Sequence, residues 1–454
     1  MLKAVLFLLK LSLFVAAVVW LATAPGTVEI NWHGYLIETS AGFVVAALLV
    51  LLAVYSVLYR IWRGVATTPA AWRRMRAAKM RERGYHNVTA GFVAIAAGDA
   101  RAAEKHAARA SVMVPGAPLA KLLSAQSHML SGEAHKARRL FAELLEHEHA
   151  AFLGVRGLLQ DTLQAKDYRE ALQHIRHADE LQPKRGWVVK TLFDLETRNR
   201  EWVRAEAALK KAEKLEVFTK EQAARHRQAL LLARADEASA AGEIVKAHKL
   251  AYKAFDINPG FTPAVLRLVK FYHDVGKKKS ALKVIQKAWA ANPHPELGNW
   301  WMKSAPLAKA KSPYDKGREI YDWAKQLFDI NPLHNASSRL MGWAALEGRL
   351  WREAREHLTR GSDYRGLAKL ERAETSNEAK AREWLEILSD APAPAKWVCT
   401  SCGHAAGDWT PLCRHCGGFN TAEWIVPEHA HVAVPHALSM ENAPGGLFIS
   451  PPGT

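Results

Sequence analysis

The stretch GDARAAEKHAARASVMVP, residues 98–115, decides the fold. It opens on Gly98, sets Ala103 and Ala110 seven residues apart, and closes on Pro115. Seven residues are two turns of helix, so the two alanines share one face. A glycine five residues before the first alanine ends a preceding helix and turns the chain. A proline twelve residues after it stops the second helix. The pattern then recurs. Ala137, Ala171 and Ala205 follow Ala103 at steps of 34 residues, Ala247 lies 42 residues further, and Ala281 comes 34 after that. Gly132, Gly242 and Gly276 repeat Gly98, and Ala178, Ala212, Ala254 and Ala288 repeat Ala110. Pro183, Pro259 and Pro293 repeat Pro115. AFDINP (254–259) and LFDINP (327–332) are near copies, which puts a further anchor at Ile320 and another at Ala354. A small residue at the anchor lets helices approach closely, while Leu250, Phe255, Leu282 and Ile285 fill the rest of the face. A fixed period with co-recurring Gly and Pro marks stacked helical hairpins.

This pattern resembles tetratricopeptide (TPR) repeats, with about eight units over residues 87–390. The 42-residue step, and the 39-residue step from Ala281 to Ile320, imply longer helices or inserted loops near 215–240 and 295–315. The resemblance implies a stack whose groove holds a segment of a protein partner.

Toward the N-terminus two apolar runs flank APGTVEINWHGYLIETS (24–40), which contains no Lys or Arg. Ala4 to Ala24 is apolar apart from Lys10, Ser12 and Thr23, and Thr39 to Tyr59 carries no charge. Each run is long enough to cross about 30 Å of hydrocarbon as a helix, so a transmembrane hairpin is expected over residues 1–64, with helices at about 4–24 and 39–62. Lys10 lies near enough to the cytoplasmic end to snorkel. Ala22-Thr23-Ala24 has the small-x-small form of a cleavage site, but Pro25 follows it and a second span comes soon after. Arg60, Arg63, Arg73, Arg74, Arg76, Lys79, Arg81 and Arg83 then crowd a basic juxtamembrane segment, residues 65–86 with its flank. Positive residues stay cytoplasmic. Both termini are therefore expected on the cytoplasmic side, and the loop free of Lys and Arg is the translocated one. The net charge of +17 suits an anionic leaflet better than nucleic acid, because the basic run lies just inside the membrane.

All four cysteines fall in WVCTSCGHAAGDWTPLCRHCGG. Cys399 and Cys402 form one C-x2-C, Cys413 and Cys416 another, and Gly403 and Gly417 follow the pairs. Two such knuckles bring four thiolates to one ion, and a tetrahedral thiolate set suits zinc or iron. The deduced cytosolic side is reducing, which disfavours disulfides. His404 and His415 lie beside a complete set and read as surface residues; Trp397, Trp409, Phe419 and Trp424 read as a small core around the metal. The knuckle domain is expected at 396–426, joined through APAPA (391–395) and rigidifying the far end of the stack. Residues 427–454 are rich in Pro, Gly and His and read as a disordered tail.

PGTVEINWHGYLIETS (25–40), an apolar span and GFVAIAAGDARAAEKHAARA (91–110) together resemble the N-terminal region of the proteobacterial HemY family. That resemblance implies an inner-membrane protein with two spans and a cytoplasmic TPR domain, acting as a scaffold or regulator in late haem synthesis. An unrelated flavoenzyme, protoporphyrinogen oxidase, shares the name; its dinucleotide motif G-x-G-x-x-G is absent from this sequence. TPR repeats ending in CTSCG…W…CRHCGGF (399–419) resemble lipopolysaccharide assembly protein B, which implies an adaptor with a rubredoxin-like knuckle pair. This chain has two expected spans and lacks the proline that rubredoxin places after its third cysteine. The expected fold is all-α: two transmembrane helices, a TPR-like α-solenoid and a small zinc-ribbon or rubredoxin-like domain. No catalytic motif stands out, so a non-enzymatic scaffold is expected, with an envelope adaptor that recruits a membrane protease as the alternative. Direct haem or porphyrin binding would use Trp32, His33 and Tyr35 or groove histidines, and the tail's His429, His431 and His436 could touch a metal or haem; interfacial anchoring of the Trp and Tyr and a solvated tail are the plainer readings.

Overall fold

The computed structural model describes residues 26–306 and 313–426, with residues 12, 15, 16, 19, 20 and 23 upstream. The chain divides into two compact units, residues 1–91 with 105–120 and residues 92–104 with 121–454.

In the first unit the opening loop is a β-hairpin, which the all-α expectation did not include. Strands β1 (Thr27–Trp32) and β2 (Tyr35–Ser40) pair antiparallel about the turn His33-Gly34. Both turn residues have positive φ, 54° and 89°, as a two-residue hairpin turn requires. The register sets Ile30 opposite Ile37 on one face and Glu29 opposite Glu38 on the other. That period-two alternation was the signal in the sequence.

Helix α1 (Ala41–Ala96) follows directly. Its portion Ala41–Arg63 is the one stretch among the described residues long and apolar enough to cross a membrane, and Phe43, Leu48 and Leu51 on it are exposed. The expected first span, 4–24, lies almost wholly outside the described residues; Ser12, Val15, Ala16, Val19, Trp20 and Thr23 are helical. α1 passes without interruption beyond the expected helix end at about 62, through the basic segment and into the first turns of the repeats. Gly64 and Pro69 lie inside it; the strong helix formers from Ala70 to Arg83 carry the helix on. Arg60, Arg63, Arg73, Arg74 and Arg76 are all exposed along it. The expected tail, 427–454, lies outside the described residues.

The repeats continue through α2 (Ala100–Met113), α3 (Pro118–Leu130), α4 (Ala134–Leu145), α5 (Ala151–Gln164), α6 (Tyr168–Leu181), α7 (Gly186–Arg198), α8 (Trp202–Lys214) and α9 (Lys220–Ala240). They go on through α10 (Ile244–Ile257), α11 (Thr262–Asp274), α12 (Lys278–Ala291), α13 (Pro295–Lys303), α14 (Pro313–Phe328), α15 (Asn335–Glu347), α16 (Trp351–Arg360), α17 (Tyr364–Glu374) and α18 (Glu378–Asp390). The order is first helix, tight turn, second helix, so the chain is an all-α TPR-like solenoid. One hydrogen-bond motif makes the turns alike. The amide after the turn residue reaches five positions back: Asp99 to the Ala94 carbonyl (2.9 Å), Asp167 to Thr162 (2.9 Å) and Glu243 to Ala238 (2.8 Å). This is a Schellman closure. Its turn residue is left-handed whether it is Gly132 (φ 77°), Lys166 (58°), Arg200 (61°) or Arg349 (54°). An acidic residue follows the turn in five units, Asp99, Glu133, Asp167, Glu201 and Glu243. Asp99 and Asp167 each accept a backbone N–H of the new helix with their side chains (Ala102 N, 2.9 Å; Glu170 N, 3.0 Å), which is an N-cap. At Lys166 and Arg200, where glycine is missing, the acid still follows the turn.

Ala103, Ala137, Ala171, Ala205 and Ala354 are fully buried and Ala281 nearly so, each on the second helix of its hairpin. Ala247 is only half-buried. It borders a cleft of about 360 Å3 between α9, α10 and α11. The 42-residue step before it is taken up by α9, 21 residues long against 13 for α7 and α8. Between hairpins, Arg176 holds Glu196 through two bonds (2.8 and 2.7 Å) and Arg267 holds Asp236 through two (2.6 and 2.7 Å). Planar guanidinium–carboxylate pairs of this kind fix geometry as well as charge.

Candidate metal centre and its docking face

Residues 396–426 form a three-stranded sheet, β4 (Ala405–Ala406), β3 (Lys396–Cys399) and β5 (Ala422–Ile425) in that spatial order, with both pairings antiparallel. The two cysteine knuckles repeat one set of bonds. Gly403 N donates to the Cys399 carbonyl and Gly417 N to the Cys413 carbonyl, both at 2.8 Å. Cys399 N donates to His404 O and Cys413 N to Gly418 O, both at 2.9 Å. Gly403 and Gly417 have φ of 72° and 70°, the left-handed turn that lets the second cysteine of each knuckle face the first.

The four sulfurs therefore converge. Cys399 Sγ lies 3.7 Å from Cys416 Sγ, and Cys402 Sγ 3.8 Å from Cys413 Sγ. All four lie within 4.8 Å of one another. A tetrahedron with metal–sulfur bonds of about 2.3 Å has edges of about 3.8 Å, so the residues present fit a tetrathiolate ion. Burial, with the neighbouring sulfurs, pushes the Cys402 thiol up to about 12. A bound cation would favour the thiolate form of the cysteines that hold it. His404 and His415 are exposed, with rings stacked at 5.5 Å, outside the sulfur set.

The knuckle sits on the middle of the repeats, not at their far end, and its aromatics point at the helices instead of forming a core around the ion. Phe419 enters a cage of Phe193 on α7 (ring centroids 5.7 Å apart), Trp202 on α8 (6.2 Å) and His226 on α9 (5.9 Å). Trp409 stands edge-on to Phe261 (5.4 Å), and Arg267 of α11 lies over it. Trp424 and Trp397 flank His294, the N-cap of α13, at 4.4 and 5.9 Å. Arg198 of α7 lies over the Tyr168 ring at 3.8 Å and donates to the Cys416 carbonyl at 2.9 Å, tying the second knuckle to the stack. Trp397 and Trp409 are buried, as the repeat core is. Burial drives the imidazoles of His226 and His294 down to about 4, so both dock neutral. Sequence spacing grouped the four cysteines that the structure brings together. It did not find Arg198, His226 or His294, which lie about 100 residues or more before the knuckle residues they meet.

A separate cleft of about 440 Å3 lies between α13 and α15. Trp289, Met302, Arg339 and Trp343 line it. Trp343 Nε1 donates to Asp363 (2.7 Å) and Arg339 Nε to the Gly361 carbonyl (2.7 Å), so both side chains are held by their neighbours.

Comparison with known proteins places these features. The family described as HemY protein N-terminus matches residues 26–132. The chain is 24% identical over 446 residues to the probable magnetosome protein Mms48 of Magnetospirillum gryphiswaldense, covering 93% of each chain. Among solved structures, it is similar to Naa15/Naa10 bound to HypK-THB (TM-score 0.43, 14% identity), covering 71% of this chain and 52% of that one. It is also similar to a tetratricopeptide repeat protein of Parabacteroides merdae (TM-score 0.27, 14% identity), covering 59% of this chain and 98% of that one. The match to that family runs from the strand hairpin through the apolar stretch of α1 to the second repeat.

Proposed function

We propose that this protein is a membrane-anchored TPR scaffold or regulator of late haem synthesis, acting by protein–protein interaction on the cytoplasmic face of a bacterial inner membrane. The observation that carries the reading is one helix, α1, joining an apolar span to the first repeat inside a HemY N-terminal domain. Two spans with both termini cytoplasmic fit the basic flank from Arg60 to Arg83. The cleft beside Trp289, Arg339 and Trp343 is a protein-binding groove of the size and mixed apolar and polar lining that recognition uses. The four cysteines hold zinc as a closed structural site, with iron the alternative, and the ion keeps the knuckle folded on the repeats. A helical-repeat fold with a closed thiolate set fits a non-catalytic protein.

The test is affinity purification from detergent-solubilised membranes, with porphyrin profiling of a deletion strain. Co-purification of a ferrochelatase or porphyrinogen oxidase, with porphyrins accumulating on deletion, is expected. Docking of the knuckle on the repeats favours a second reading, an envelope adaptor. It predicts a membrane protease as the captured partner, altered lipopolysaccharide and normal porphyrins. Haem or porphyrin binding by the chain itself is the third reading, which a haem titration without a Soret shift would remove.

A further inference from the structure

The excess positive charge is not spread over the chain. Ile244–Ala291 carries nine lysines and one arginine against two aspartates, about half of the net +17. Arg60–Arg83 supplies most of the remainder. On the repeats the lysines fall on outward faces. Lys246, Lys249 and Lys253 lie one turn apart along α10, Lys279, Lys283 and Lys287 along α12, and all six are exposed. Lys249 and Lys283 hold the same repeat position, two residues after Ala247 and Ala281; Lys253 and Lys287 hold another, six after. Lys277 and Lys278 extend the cluster at the turn. Among the described residues only Lys246 of this cluster has an ion-pair partner, Glu243. The second helices α6 and α8 differ, for acids stand among their cations, with Arg176 paired to Glu196 and Lys211 to Asp179. Beside the lysines of α10 stand Val245, 83% exposed, and Tyr252, 45% exposed.

We propose that the lysine face of α10 and α12 is a second membrane contact, binding an anionic phospholipid surface. The cations meet the headgroup phosphates, and Val245 and Tyr252 enter the interfacial layer, where an aliphatic and a phenol are favoured. A single cation near an anionic leaflet strengthens binding roughly fivefold. A cluster on a chain already tethered to the bilayer acts at high effective concentration. An unmatched cluster on an untethered protein would be a solvated face; here the span on the same chain brings lipid within reach. The inference rests on the reading of Ala41–Arg63 as a span.

The test reconstitutes the full chain in nanodiscs of phosphatidylcholine alone, or with about 30% phosphatidylglycerol, and follows lysine acetylation by mass spectrometry. Lys249, Lys253, Lys279, Lys283 and Lys287 should react several-fold more slowly in the anionic discs. Salt at about 0.5 M should remove the difference, and Lys184, on a turn elsewhere, should be unaffected. The quadruple variant Lys249→Gln, Lys253→Gln, Lys283→Gln, Lys287→Gln should lose the protection of Lys277–Lys279. Equal rates in both discs overturn the proposal alone. Failure to co-elute with either disc overturns the span reading and the proposal together. Protection by added RNA in phosphatidylcholine discs, with none from phosphatidylglycerol, assigns the face to nucleic acid and overturns the lipid contact.

Discussion

Phe419→Ala separates docking of the knuckle from metal binding. The side chain is half-buried and meets Phe193, Trp202 and His226 within 6.2 Å. Truncating a fully buried phenylalanine costs about 3–5 kcal/mol. Half burial scales that to about 2 kcal/mol, and the aromatic edge contacts keep it from falling much lower. A loss of about 2 kcal/mol multiplies the undocked population by about 30. The cysteines do not depend on Phe419, so metal content should stay at one ion per chain. Native-state proteolysis with thermolysin reads the open population when reclosing is fast. Cleavage between Ala391 and Lys396 should therefore accelerate by about 30-fold. An unchanged rate, within a factor of two, would show that the aromatic cage does not hold the knuckle, and loss of the metal would show that docking and ligation are not separable.

Four further outcomes are expected. Cys413→Ser should abolish stoichiometric metal by elemental analysis and unfold residues 396–426, seen as complete amide exchange there. Lys166→Gly and Arg200→Gly should each raise stability by about 0.5–1 kcal/mol, because the left-handed turn strains a side-chain-bearing residue; Gly132→Ala should lower it by a similar amount, read from urea midpoints. Gly157→Ala should destabilise by about 1–3 kcal/mol, since its Cβ would stand 2.3 Å from the Phe141 ring; an unchanged thermal midpoint would refute the close packing of α4 on α5. With His294 held neutral down to about 4, the unfolded chain takes up a proton below its ordinary value of about 6.5 while the folded chain does not. Stability should then be flat above about pH 6.5 and fall toward pH 4 by up to about 1.4 kcal/mol per pH unit from this residue. His294→Asn should flatten part of that slope in urea titrations.

The fold class was legible because hairpin repeats write their period into the chain. Ala103 and its counterparts are small where second helices meet, and the glycines and prolines sit where helices end. The turns at Lys166, Arg200 and Arg349 were less visible, since the backbone imposes the same left-handed geometry on residues that do not advertise it; the acid that follows most of them was the better signal. The cysteine spacing exposed the metal centre because knuckle geometry is local. Docking of the knuckle on α7 to α13 was not legible. It depends on Phe419 meeting Phe193 and on Trp424 meeting His294, contacts between elements far apart in sequence with no periodic mark. The strand hairpin at 27–40 was written in alternating Val28, Glu29 and Ile30, but two apolar neighbours drew attention to the membrane instead. Continuity of α1 ran against local signs, for Gly64 and Pro69 both suggest a stop that the flanking alanines and arginines override.

The most direct test of the account is protease protection in intact spheroplasts of cells carrying a tag at the C-terminal end. The tag should survive protease added from outside and be lost only after permeabilisation. Digestion in intact spheroplasts would put the repeats and the thiolate centre on the wrong side of the membrane and contradict the proposed scaffold.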